Sequence, residues 1–87
     1  MSRSAGRLEG KIAIVSGGAT GAGGAASLLF AQEGAQVAVV DINTDAGEEV
    51  VTRIRAAGGT AELFAADVSK RAAVDAAVAN VMARFGR

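Results

Sequence analysis

The sequence predicts an α/β fold built on a parallel sheet, and three observations predict it. Short apolar runs rich in β-branched residues alternate with stretches of helical periodicity. The runs are continuous rather than alternating, as in strands covered on both faces. Glycines follow each helical stretch, and a larger glycine cluster separates the first run from the first helix.

The elements follow in order. After a polar leader, Lys11-Ile12-Ala13-Ile14-Val15-Ser16 reads as the first strand, and Gly17 to Gly24 as a glycine loop. Ala25 to Glu33 reads as a helix stopped by Gly34 in the C′ position. Gln36-Val37-Ala38-Val39-Val40 is the second strand, ending at Asp41. Thr44 is expected to cap the second helix, whose first turns hold Asp45, Glu48 and Glu49, where negative charge suits the dipole. Val50, Val51, Ile54 and Ala57 give it one apolar stripe, and Gly58-Gly59 ends it. Ala61 to Asp67 is the third strand. Ser69 is expected to cap a third helix, with Val74, Val78, Val81 and Phe85 as its stripe and Gly86 as its end.

Composition narrows the function. The chain has 87 residues, at most one domain, and 21 of them are Ala against 18 Val, Ile and Leu together. Its core is therefore small. Nine basic and nine acidic residues balance without clustering, which argues against a nucleic-acid surface. Cysteine and histidine are absent, removing disulfides, thiolate metal sites, a cysteine nucleophile and the commonest general base. Apolar runs reach only four or five residues, too short for a membrane span. Met1 to Arg7 lead into no apolar stretch, so no signal peptide is read and a soluble, cytoplasmic chain is expected.

The glycine cluster carries the chemistry. A glycine-lined turn between strand and helix lets backbone N–H groups approach a phosphate at the positive end of the helix dipole. Gly21-Ala22-Gly23-Gly24-Ala25-Ala26 satisfies G-x-G-x-x-[G/A], and its place after a strand and before a helix gives the pattern its weight. No Lys-Ser or Lys-Thr follows, so it is not a P-loop. Asp41, 18 residues beyond Gly23, stands where a carboxylate accepts from the ribose hydroxyls of an adenosine. It would repel a 2′-phosphate, and neither Ile42 nor Asn43 compensates with a positive charge, so NAD is favoured over NADP. The alternative is that Asp41 only caps a turn with Asn43. Asp67, at the equivalent end of the third strand, either meets the adenine amino group or only starts the next helix with Ser69. Glu48, Glu49, Arg53 and Arg55 read as a solvated helix face, Arg3, Arg7 and Lys11 as a solvated leader, and Phe30, Phe64 and Phe85 as core.

These residues resemble the start of a short-chain dehydrogenase/reductase. The family motif is T-G-x-x-x-G-x-G after the first strand; Ser16 stands for the Thr, and Gly17, Gly21 and Gly23 match in register, with Thr20 and Ala22 between. Asp41-Ile42 matches the NAD-selecting acid and the residue lining the adenine site, and Asp67-Val68 matches the D-[VL] pair that contacts adenine. Ala83 to Arg87 resembles the end of the family's third helix. The resemblance implies a Rossmann-like parallel sheet of three β-α units in strand order 3-2-1. It implies a polar leader over 1–9 and a partial NAD(P)-binding domain over 10–87. It also implies cofactor contacts from Ser16, Gly17, Thr20, Gly21, Ala22, Gly23, Asp41, Ile42, Asp67 and Val68.

Two local departures stand out. Ala22 replaces the family's usual Ile or Leu and thins the packing beneath the cofactor. Gly24 loosens the first helical turn, at about 1 kcal/mol relative to Ala.

The larger departure is that this sequence has no tyrosine, whereas the family's catalytic Ser and Tyr-x-x-x-Lys belong to a second half. The resemblance therefore implies the NAD-binding part of an oxidoreductase that is inactive alone, with an alcohol or carbonyl substrate only in a complete chain. The first strand, central in such a sheet, would keep one bare edge, open to a homo-oligomer or a complementing chain. Two other readings remain at this point: a non-catalytic dinucleotide-binding or interaction module, and an S-adenosylmethionine-binding variant, against which the glycine spacing and Asp67-Val68 argue.

Overall fold

The computed structural model describes residues 8–86, and the readings made for Met1 to Arg7 lie outside them. Six elements follow one another: β1 (Ile12–Ser16), α1 (Gly21–Gln32), β2 (Gln36–Asp41), α2 (Thr44–Ala56), β3 (Thr60–Ala65) and α3 (Arg71–Phe85). The sheet is parallel in the order β1-β2-β3, with Ile14 opposite Ala38 and Ala38 opposite Glu62. This is the expected order, read from the other edge.

The apolar run of β2 has the physical outcome its sequence demands: Val37, Ala38 and Val39 are fully buried and Val40 nearly so. Side chains alternate between faces along a strand, and two cores result. On one face Val37, Val39, Ala61 and Val15 pack with Val50, Val51 and Ile54 of α2, and Leu28 and Phe30 of α1 border them. On the other face Val40 and Phe64 meet Ala73 and Ala77 of α3. Phe64 and Phe85 pack edge to face with centroids 6.4 Å apart. Leu8, placed in the polar leader by sequence, packs against the first core and donates its N–H to the Glu33 carbonyl at 2.7 Å.

Several element ends differ from expectation. Helix α1 starts at Gly21, so the last glycines of the cluster form its first turn rather than a loop. The N-cap of α2 is Asn43, whose Oδ1 accepts from the Ala46 N–H at 3.0 Å; Thr44 is already helical. Helix α3 starts at Arg71 after Lys70 with no side-chain cap, and the Ser69 hydroxyl donates to Asp67. Strand β3 stops at Ala65, two residues short of Asp67. Gly34, Gly58 and Gly86 follow their helices with positive φ, as read.

The stripe of α3 is also corrected. Ala77 and Val81 are its buried residues, while Val78 is 37% exposed, and Ile14 of β1 is 41% exposed. Helix α3 packs mainly on β2 and β3, and it turns Ala77 and Val81 rather than Val78 toward them. Ala57, at the C-cap of α2, is exposed rather than part of the core.

Candidate functional site

The C-terminal ends of the three strands bring the sequence-predicted residues to one edge. Ser16 ends β1, Asp41 ends β2, and Asp67 lies two residues beyond β3. Backbone bonds tie these ends together. Val40 O accepts from the N–H of Gly17 at 2.8 Å and of Gly18 at 3.4 Å, and Asp41 O accepts from Ala66 N–H at 3.2 Å.

Gly17 and Gly21 adopt φ of +68° and +56°, which side-chain-bearing residues seldom do. Gly23 serves a different need: a Cβ there would collide with the carbonyl oxygen of Gly17. Between them Thr20 is the N-cap of α1, and its side chain makes no capping bond. The Gly24 N–H is satisfied by Thr20 O at 3.0 Å. The N–H groups of Gly21, Ala22 and Gly23, at the start of the helix, lack an acceptor among the described residues. These are free donors at the positive end of the α1 dipole.

The Asp41 carboxylate bridges two loops. Its Oδ1 accepts from the Asn43 N–H at 2.9 Å, and its Oδ2 accepts from the Ala19 N–H at 3.1 Å. The turn with Asn43 and the link to the glycine loop therefore coexist. Each carboxylate oxygen offers about two lone pairs, so each retains one for a ligand donor.

Asp67 forms a local turn: its Oδ1 accepts from the Ser69 N–H at 3.0 Å and from the Ser69 hydroxyl at 2.6 Å. The hydroxyl first, and then the backbone bond, hold its carboxyl below the ordinary carboxylate pKa. Ile42 and Val68, next to the two acids, are 68% and 44% exposed. The Glu49–Arg53 pair, 3.7 Å apart and well exposed, is the solvated helix feature the sequence suggested.

One residue of this region escaped the sequence reading. Ser27 is fully buried in α1, and its hydroxyl donates to Gly18 O at 3.0 Å and to Gly23 O at 2.9 Å. The available signal was a lone hydroxyl four residues after Gly23 inside an otherwise apolar stretch. Among the described residues no His/Cys/Asp/Glu group suits a metal ion, and no helix is long and apolar enough to cross a membrane.

Comparison with known proteins agrees with this geometry. Residues 11–87 match the family model described as short chain dehydrogenase. The chain is 44% identical over 82 residues to a 2,5-dichloro-2,5-cyclohexadiene-1,4-diol dehydrogenase of Sphingobium indicum, covering 94% of this chain and 33% of that protein. It superposes on the citronellol catabolism dehydrogenase of Pseudomonas aeruginosa with a TM-score of 0.89 and 32% identity, covering 94% of this chain and 34% of the other. A metagenomic short-chain oxidoreductase in complex with NADP matches with a TM-score of 0.85 and 35% identity over 92% of this chain and 36% of its own. The chain thus spans between a quarter and a third of the length of the curated relatives it matches.

Proposed function

Because this chain belongs to the short-chain dehydrogenase family, whose members bind a nicotinamide dinucleotide, we propose that it is the NAD-binding part of an oxidoreductase. The complete protein would move hydride between the nicotinamide and an alcohol or carbonyl carbon of a small substrate. A cytoplasmic setting belongs to the same proposal. The reading as a non-catalytic interaction module is not favoured, since the relatives are themselves dehydrogenases.

The observation that carries the reading is the Asp41 carboxylate. It is held from both sides by backbone N–H groups and keeps one lone pair on each oxygen, a match for the paired hydroxyls of a ribose. A 2′-phosphate would face this carboxylate with no positive charge at Ile42 or Asn43 to offset the repulsion. The free N–H groups of Gly21, Ala22 and Gly23 suit the pyrophosphate, and the absent Cβ of Gly23 lets the loop lie close to the helix. Ser16 and Gly17 shape the strand end, and Thr20 borders the phosphates. Ile42 and Val68 take the faces of the adenine, and Asp67 its amino group.

The dinucleotide, when bound, supplies the redox chemistry, and these residues supply its binding and orientation. With no tyrosine in the sequence, the 87 residues alone are expected to give no turnover. The test is a calorimetric titration with NADH and with NADPH, before and after Asp41→Ala. NADH should bind tighter than NADPH, and the substitution should weaken NADH about tenfold or more while leaving NADPH unchanged or stronger. Equal affinities in the unsubstituted chain, or an unaltered preference in Asp41→Ala, contradict the reading.

A further inference from the structure

The peptide unit joining Gly18 to Ala19 is held at both ends. Its carbonyl oxygen accepts from the Ser27 hydroxyl at 3.0 Å, and its N–H donates to Asp41 Oδ2 at 3.1 Å. The unit is trans, so its C=O and N–H point in opposite directions. A single orientation of the peptide plane therefore satisfies the buried serine below and the carboxylate beside the loop at once. Gly18 itself is buried, and a Cβ there would lie 2.9 Å from Ser27 Oγ and 2.7 Å from Val15 O. The serine thus touches the loop backbone directly. Its hydroxyl, with one proton, is shared with Gly23 O at 2.9 Å, which ties the same loop to the first turn of α1.

We infer that Ser27 is a positioning residue which, through the Gly18–Ala19 peptide, orients the Asp41 carboxylate that reads the adenosine ribose. Ser27 is fully buried beneath the loop and reaches no ligand; it acts only through Asp41. Without its hydroxyl, the Gly18 carbonyl loses its partner and the peptide plane is free to turn about its two Cα atoms. The Ala19 N–H then leaves Oδ2, and the two unused lone pairs of Asp41 lose their common aim. The inference rests on the reading of Asp41 proposed above and deepens it: discrimination between ribose hydroxyls and a 2′-phosphate is set partly from inside α1.

Two measurements on the full chain separate this inference from the functional reading. The first needs no ligand. Amide hydrogen exchange at Ala19 should accelerate about three- to tenfold in Ser27→Ala, while amides in the middle of β2 keep their protection. The second is a titration cycle. With Asp41 present, Ser27→Ala should weaken NADH about three- to tenfold and NADPH less, narrowing the preference. In an Asp41→Ala background the same change should shift NADH less than about twofold, because the effect passes through Asp41.

A role confined to packing would lower stability and weaken both dinucleotides equally in both backgrounds, and that result overturns the inference. So does an unchanged exchange rate at Ala19. If Ser27→Ala does not fold, Ser27→Cys fills the space with a weaker donor and is read in the same way. If no form binds NADH yet Ala19 exchange responds to position 27, the functional reading fails and the link from Ser27 to Ala19 stands.

Discussion

A methyl group at Gly23 would run into the carbonyl oxygen of Gly17, so loop and helix meet backbone to backbone at that point. Sequence alone identifies Gly23 by its place in a motif; the structure adds that its role is close approach, since its φ is not among the positive ones. Asp67 is the other residue whose chemistry is local. Its two bonds from Ser69, the hydroxyl first and then the backbone N–H, stabilise the carboxylate over the carboxylic acid and so lower its pKa. The sign follows from linkage: a carboxyl more acidic in the folded chain adds stability above its unfolded pKa, and that contribution fades as pH falls through the lowered value. In Ser69→Ala the Asp67 carboxyl should titrate at a higher pH, followed by NMR of its side-chain carbon. The stability difference between the two chains should shrink on acidification. An unshifted titration would mean that the hydroxyl bond does not form in solution.

At the scale of elements, burial decides which apolar residues matter. Ile54 is 1% exposed and packs into the core beneath α2, whereas Val78 is 37% exposed on the outer flank of α3. Urea unfolding should show Ile54→Ala costing about 2–5 kcal/mol, and Val78→Ala staying within about 0.5 kcal/mol. Equal losses would mean that the α3 flank is covered in solution. The kind and order of every element were legible because apolar runs and helical periodicity persist over whole segments. Helix starts were not, since a cap depends on which of two adjacent side chains folds back. Asn43 rather than Thr44 reaches the Ala46 N–H, and Ser69 turns to Asp67 rather than to α3. Val78 misled for another reason: helical spacing marks a stripe, but only the fold shows which of its residues turn toward the sheet. Ser27 was invisible because its partner, Gly18 O, lies nine residues away in the chain.

At the scale of the whole molecule, the three strand ends converge on one edge that holds free helix-start donors, a paired carboxylate and two exposed aliphatic side chains. In the function proposed above, these features serve one half of a dinucleotide: adenine, its ribose and the pyrophosphate. The matched residues correspond to between a quarter and a third of the curated relatives' length, and the sequence holds no tyrosine. The glycine motif and both acids were legible from spacing. That Asp41 is shared between the Ala19 and Asn43 N–H groups required the fold, because the glycine loop and the end of β2 are 22 residues apart in sequence. On the proposed function, these residues recognise the adenosine and pyrophosphate end of the dinucleotide rather than its nicotinamide end. Calorimetry with ADP-ribose and with nicotinamide mononucleotide distinguishes the two ends. ADP-ribose should bind within a few-fold of NADH and nicotinamide mononucleotide should give no saturable heat. Binding of nicotinamide mononucleotide comparable to NADH, with ADP-ribose silent, would place recognition at the other end of the dinucleotide and overturn the proposed role of Asp41.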